Sequence, residues 1–515
     1  MSSPQSTAAR PRRPGWFRLL KGLFLLAVAG VTLVALLVSV ENWRGERAWQ
    51  SYQRELRARG ERLTFAEVVP PMPPPGENFG SLPLLARLLD YQPGPIANTN
   101  AEAAIQVFNL PRQRAAEPAG EPPTFDDLAS WAAALRELNG QPASPQRGLP
   151  EYPAAPAGAT DAQVVLKALS VADAPMAEIC TALERPQSQF EVHYQEGFSA
   201  LLPHLARLKG IQSHLRLRIV ARLAAGQTNL AASDLRCAFR LSRALATEPL
   251  LISQLVRFAQ ATTALASLQA GVHAHAWSDA DLAWVQHEIR SWDFLAGARL
   301  AFEGERAGVN TTLDAMTGQP ELAETLFDPT TSPVGPLGKR LPRGFIRQNQ
   351  IAINRHHTAV LQELRATDAT GDLRALLARL DSLQDRTLAE ASGFSPYRVF
   401  VRLLIPATRN AVEKAARAQA LATLGDLACA LERHRLAHGS HPASLQKLDP
   451  RFLAGPARDP LTGQPPAYQR LADGSYRLWS VGPDGRDDGG VLKRSKSGPE
   501  LDLPWPRPGD EFRVF

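Results

Sequence analysis

The stretch YRLWSVGPDGRDDGG (residues 476–490) gathers Asp484, Asp487 and Asp488 into a glycine-rich turn. Carboxylate oxygens at such spacing suit a hard cation. The same residue types also close hairpins, because Asp bonds local backbone and Gly takes positive φ. A second cluster is His434, His438 and His441, in which the i, i+4 pair shares a helix face as metal ligands can. The histidines of HAHAW (273–277) and the pair His356–His357 have no carboxylate or cysteine at a recognisable ligand spacing, and are expected at the surface or at helix ends. Glu303 and Glu305 of FEGERAG could serve hydrolysis, but residues two apart on a helix do not face each other.

No G-x-S-x-G, H-E-x-x-H, P-loop or G-x-G-x-x-G is present, so no named reaction is indicated. Cys180, Cys237 and Cys429 are odd in number, far apart and outside any C-x-x-C. That pattern indicates neither a disulfide framework nor a zinc ribbon. Buried free thiols are expected, at least for Cys237 and Cys429, which fall in helical patterns. Arg236, Arg240 and Arg243 form a basic stripe, read as a solvated helix face.

The elements that would position these residues begin with an apolar span. The net charge is +6, yet Arg10, Arg12, Arg13, Arg18 and Lys21 supply five positives before residue 22 with no acid among them. About +1 is left for the remainder, so the basicity reads as a topology signal and nucleic acid is excluded as a partner. Residues 22–40 follow with no charge. About 19 residues at ~1.5 Å each span roughly 28 Å, close to the hydrocarbon core of a bilayer. The run is too long for a cleavable signal and its exit, LLVSVENW, offers no A-x-A site. An uncleaved signal anchor is expected, with residues 1–21 cytoplasmic, Trp16 and Trp43 at the two interfaces, and inner-membrane lipid as a partner.

Residues 41–68 read as a helical stalk, and 69–160, opening with VVPPMPPPGENFG, as a proline-rich spacer with short helices. One of these is expected after Thr124, in TFDDLASWAAALRELNG, with Thr124 as its cap. From 161 to 395 apolar residues recur at helical spacing, as in Ile211, Leu215, Ile219 and Leu223, which predicts a body of helical hairpins. Ser278 is placed to cap one helix. The hairpin 221–242 resembles one tetratricopeptide unit, but no second copy follows at a 34-residue period. A loop is expected at 328–345.

Residues 396–515 have a different grammar. A long helix over about 407–437 ends at Gly439, and PAYQRL and SYRLWSV read as two strands joined by ADG. The ordered series ALERHRLAHGSHPASL (430–445), DPLTGQPPAYQ (459–469) and YRLWSVGPDGRDDGG (476–490) resembles the globular domain of the major pseudopilin of type II secretion systems. The likeness covers about residues 407–490; the rest resembles membrane-anchored bacterial envelope proteins. It implies one long helix on an antiparallel sheet. It implies calcium in the acidic loop, with Asp484 in the place of the family aspartate and Asp487 and Asp488 adding oxygens. It also implies that His434 and His441 stand where the family packs tyrosines. Two departures limit it. The anchor lies almost 400 residues upstream of this helix, with Leu20 in the place of the glutamate of a prepilin cleavage site. The family's later acidic segment is replaced by the basic VLKRSKSGPELD.

The expected fold is therefore mainly α: a single N-terminal transmembrane helix, a helical-hairpin body and a small C-terminal α+β domain. The expected role is a membrane-anchored extracytoplasmic scaffold of the bacterial envelope, linked to secretion or pilus-like machinery through an envelope protein partner. A periplasmic hydrolase with its active site in the helical body is the alternative.

Overall fold

A computed structural model describes residues 15–89, 105–113, 124–139, 141–142, 148–318, 341–367, 373–391, 396–404, 408–453, 455–482, 485–491 and 502–505. The chain is mainly helical, with one long apolar N-terminal helix and a small three-stranded antiparallel sheet near the C-terminus. It forms two compact units, neither continuous in sequence. One comprises residues 1–61, 313–353 and 394–400, the other residues 62–312, 354–393 and 401–515.

The first unit is built on helix α1, Gly15–Ala58. Its part from Leu19 onward is long and apolar enough to cross a membrane. The helix does not stop at the expected end of the span, because ENWRGERAWQSYQRELRA carries neither proline nor a capping break. Residues beyond 40 are clasped by the segment around Gly344. A Cβ on Gly344 would lie 2.1 Å from Glu41 O, so only glycine permits this approach. Gly344 N donates to Asn42 Oδ1 at 2.8 Å, and Arg347 bonds Glu46 at 2.9 Å and pairs with Asp314.

In the second unit the helices are α2 (Leu128–Leu138), α3 (Asp161–Leu169), α4 (Asp173–Ala182), α5 (Pro203–Ala224), α6 (Thr228–Leu241), α7 (Leu251–His273) and α8 (Asp279–Arg290). They are followed by α9 (Phe294–Gly318), α10 (Arg343–Thr367), α11 (Leu373–Ala391) and α12 (Thr408–His438), with α9 and α10 also supplying residues to the first unit. Helices α5 and α6 form the expected hairpin, and Ser278 caps α8 by accepting from Asp281 N. Asp127, rather than Thr124, caps α2 through Ala129 N and Ser130 N.

Helix α12 runs through the middle of this unit. It is buried around most of its circumference, as a helix without a single apolar stripe must be. It packs on α7 and α8, and a Cβ on Gly425 would lie 2.7 Å from Leu265, which marks how near α7 comes. The sheet lies against α12 as well. Strand β1 (Ala467–Arg470) pairs with β2 (Tyr476–Ser480), and β2 with β3 (Leu503–Trp505). The long helix thus shares one core with the helical hairpins, and that core includes Leu265, Ile289, Leu427, Leu478 and Trp505.

Three expectations need correction. Cys237 is not a free thiol: it is disulfide-bonded to Cys180, because α4 and α6 bring the two Cα atoms to 5.3 Å. Cys429 is the buried free cysteine among the described residues. The proline-rich stretch packs instead of acting as a spacer throughout. Phe79, Leu82 and Leu85 join the main core, and Asn78 is buried, with Nδ2 donating to Gln189 O at 2.8 Å. His356 and His357 are buried within α10, not at a surface or helix end, and burial lowers them to about 4 and about 3. The basic stripe is partly exposed, as expected, and its charges are paired within the chain: Arg236, Arg240 and Arg243 pair with Asp281, Glu184 and Glu288 at 2.7–2.8 Å. The loop expected at 328–345 lies largely outside the described residues.

Candidate functional site

The groups that converge on open space lie where the C-termini of α7 and α12 meet the β1–β2 hairpin. A cleft of about 810 Å³ opens there, within the range that holds small ligands. Its centre is Glu432, on α12 and without solvent exposure. His275 Nδ1 lies 2.9 Å from Glu432 Oε1. Arg435, three residues on along the helix, donates through Nη2 to Oε1 at 2.6 Å and through Nε to Oε2 at 2.9 Å. His441 Nε2 stands 3.4 Å from Oε2, an ion-pair contact without hydrogen-bond alignment. Burial alone would raise the Glu432 carboxyl; the contacts with His441, Arg435 and His275 outweigh it and hold the group at about 2.

Local backbone chemistry places each partner. Helix α7 ends in a Schellman motif, with Ala276 N bonded to Gly271 O and His275 N to Val272 O. The residue between, His275, has φ +51° and is the non-glycine with positive φ among the described residues. Glycine is favoured at that position, so an imidazole is held there against the backbone preference. On the other side, Gly439 ends α12 with φ +79°. The following chain is fastened to the hairpin by two bonds. His441 Nδ1 meets Gly474 O at 3.1 Å, and Tyr468 Oη donates to Pro442 O at 2.7 Å. Tyr476 packs edge-on against His441, with ring centroids 4.8 Å apart, and Trp505 from β3 forms part of the floor.

The residues singled out from sequence divide accordingly. His441 takes the packing position the resemblance implied, but it also contacts Glu432. His434 Nδ1 accepts from Asp449 N at 3.1 Å, and His438 Nε2 lies 3.2 Å from Asp449 Oδ2, so these two serve the turn after α12. Glu303 pairs with Arg62 and Arg365, whereas Glu305 accepts only from Leu251 N at 3.3 Å, among the bonds described, and burial pushes it up to about 7. The two glutamates therefore have separate surroundings. Ser253, Glu248 and His204 form a further buried chain, but the carboxylate sits in the middle, so the imidazole does not touch the serine as it does in a Ser–His pair.

In the acidic loop, Asp484 lies outside the described residues. Asp487 Oδ1 accepts from Trp479 Nε1 and from Gly489 N, both at 2.9 Å, which are turn-closing bonds. Asp488 N and Gly490 N donate to Asp502 Oδ2 at 3.0 and 2.8 Å, and Asp502 Oδ1 is buried with no donor. Among the described residues no group of three His, Cys, Asp or Glu side chains is disposed to hold a metal ion. Among the described residues Asp502 Oδ1 is a buried carboxylate oxygen without a donor, of the kind that ligates calcium.

Sequence reasoning missed Glu432, His275 and Arg435 as a group. Only the i, i+3 spacing of Glu432 and Arg435 was visible beforehand, since His275 is 157 residues from its partner. No family model, no curated protein and no solved structure matches this chain.

Proposed function

We infer that this is a membrane-anchored interaction protein of the bacterial envelope. Its N-terminal tail lies in the cytoplasm, α1 crosses the inner membrane, and the C-terminal cleft receives a ligand or partner on the outer side. The observation that carries this reading is the Cys180–Cys237 disulfide, because such bonds persist in oxidising compartments and are rare in the cytosol. The apolar helix and the basic residues ahead of it support the same orientation. The link to secretion or pilus-like machinery rests on the three C-terminal motifs alone. A tag fused after Phe515 tests the orientation. Protease added to spheroplasts should remove it; cleavage only after the inner membrane is opened would refute the reading.

A second reading, a hydrolase, is favoured by one observation. Glu432 fixes His275 through Nδ1, leaving Nε2 for the cleft, an arrangement suited to general acid–base work. Incubation of the purified chain with cell-wall material should then release soluble fragments, and His275→Ala should abolish the release.

A further inference from the structure

The uncharged run of α1 ends at Val40, and the turn after it carries partners from two other parts of the first unit. Helix α10 lies alongside and runs in the same direction, since Gly344 N donates to Asn42 Oδ1 while Arg347, one turn further on, bonds Glu46. Two glycines let the helices touch: a Cβ on Gly45 would lie 2.5 Å from Gly344 Cα. The start of α10 is thereby fixed at the level of residues 41–45, within about 8 Å of the end of the apolar run at ~1.5 Å per residue. Tyr397 is held at the same level. Its hydroxyl accepts from Arg44 Nη2 at 3.2 Å, and its ring lies 6.1 Å from that of Phe345.

For a helix that crosses a bilayer, this is the depth of the headgroup layer, about 5–8 Å thick on each side. The side chains presented there suit that layer. Trp43 is 64% exposed, and the Arg47 guanidinium lies over its ring at 5.4 Å. Tryptophan and tyrosine collect at this depth because their rings are apolar with a polar edge. Arg44, Arg47 and Arg343 are exposed. Side chains on a helix lean toward its N-terminus, so Arg44 and Arg47 reach back toward the lipid. Glu41 pairs with Arg44 at 2.8 Å, and Glu46 and Asp314 pair with Arg347. Among the described residues, the charges of Arg47 and Arg343 are therefore in excess. Guanidinium binds phosphate well, so these two are matched to the phosphates of the layer.

We propose that the first unit sits directly on the bilayer surface. Trp43, Phe345 and Tyr397 lie among the phospholipid headgroups of the outer leaflet, and Arg47 and Arg343 bind their phosphates. The proposal rests on the reading that α1 crosses the membrane. It adds that the turn after the span, with the start of α10, is a seat on the lipid rather than a free stalk.

The test uses the full chain in nanodiscs of equal parts phosphatidylcholine and phosphatidylglycerol, with one nitroxide per chain. Cys429 is buried and Cys180 and Cys237 are bonded to each other, so only an introduced thiol takes the label. Leu33→Cys places it in the span, Leu341→Cys just before α10, and Gln50→Cys about 15 Å beyond the apolar run. Power-saturation electron paramagnetic resonance, with oxygen and a water-soluble nickel complex as relaxing agents, reads the depth of each label. The label at 33 should lie in hydrocarbon, the label at 341 within about 8 Å of the hydrocarbon edge, and the label at 50 in water. Charge reversal in Arg47→Glu/Arg343→Glu should raise nickel access to the label at 341 at least about twofold, because anionic headgroups repel carboxylates. Both arginines are exposed, so circular dichroism should not change. With the label at 33 in hydrocarbon, a label at 341 as open to nickel as the one at 50, or no response to charge reversal, would overturn the proposal and leave the membrane span standing. Nickel access at 33 would overturn both.

Discussion

Cleaving the disulfide should cost the second unit several kcal/mol without unfolding it. Cys180 and Cys237 are 57 residues apart. Chain-entropy closure of a loop that size gives roughly 14 cal/mol/K, or about 4 kcal/mol at 25 °C, as the most the bond contributes. The unit around it holds roughly 400 residues. At about 2.1 cal/mol/K per residue its melting entropy is near 0.8 kcal/mol/K, so loss of 4 kcal/mol lowers Tm by about 5 °C. Other interactions keep α4 and the α5–α6 hairpin together after cleavage. Arg218 bonds Asp234 through Nε and Nη2 at 2.9 and 2.6 Å and reaches Asp173 through Nη1 at 3.0 Å, while Arg240 reaches Glu184 at 2.8 Å. The double variant Cys180→Ser/Cys237→Ser should therefore melt about 5 °C lower with unchanged far-ultraviolet circular dichroism. Maleimide–polyethylene glycol gives the companion measurement on protein from cells, denatured without reductant. One label per chain is expected, on Cys429, and three after reduction. Three labels before reduction would show that the bond does not form in the cell. Both the stability figure and the compartment reasoning would then fail.

The remaining predictions concern charge, close packing and calcium. Glu432→Gln should destabilise the chain by on the order of 3 kcal/mol at neutral pH, since its partners hold the carboxyl at about 2, below its ordinary 4.5. A depressed carboxylate contributes fully above pH 4.5 and loses its contribution as pH falls through 2, so the variant should converge on wild type in acid denaturation series. Glu305→Gln should show the opposite sign. Its carboxyl is raised from 4.5 to about 7, so stability is present below pH 4.5 and lost as pH rises through 7. At pH 8 the variant should be more stable than wild type by up to about 3 kcal/mol. Gly344→Ala should cost about 1–3 kcal/mol or more, because its Cβ would lie 2.1 Å from Glu41 O; faster trypsin cleavage around residues 341–353 would report it. Chelation with EGTA should leave Tm unchanged if Asp487 and Asp502 act only as turn acceptors; a fall of several degrees would place calcium beside Asp502 Oδ1.

Local signals carried much of the secondary structure. The apolar run gave the first helix, the 3.6-residue period gave α5 to α7, and the ADG turn gave the β1–β2 hairpin. Glycine after the last periodic residue located the end of α12, and Ser278 located the start of α8. What stayed hidden depends on packing between distant segments. Cys180 and Cys237 meet because α4 and α6 lie side by side, a proximity no spacing rule contains. Strand β3 is three residues with a proline in the middle, LPW, too short to show a period. The proline-rich stretch looked like a spacer because its prolines dominate, yet Phe79, Leu82 and Leu85 between and after them supply core. His356 and His357 looked solvent-facing because polar residues usually are; α10 buries them at the price of two imidazoles kept neutral.

The cleft follows from the central position of α12. A helix enclosed by α7 and α8 on one side and the sheet on another can carry a carboxylate only if that carboxylate is paired, since an unpaired buried charge is destabilising by several kcal/mol. Glu432 meets this condition through a residue on its own helix, one at the end of α7 and one in the chain after Gly439. Those partners are thereby fixed in place, which accounts for an imidazole retained at a Schellman position that prefers glycine. The same pairing removes Glu432 and Arg435 from any direct claim on a ligand charge. Chemistry at the cleft then falls to the groups left over: Arg470, on the Tyr476 face of a hairpin held by His441 and Tyr468, and the free face of His275.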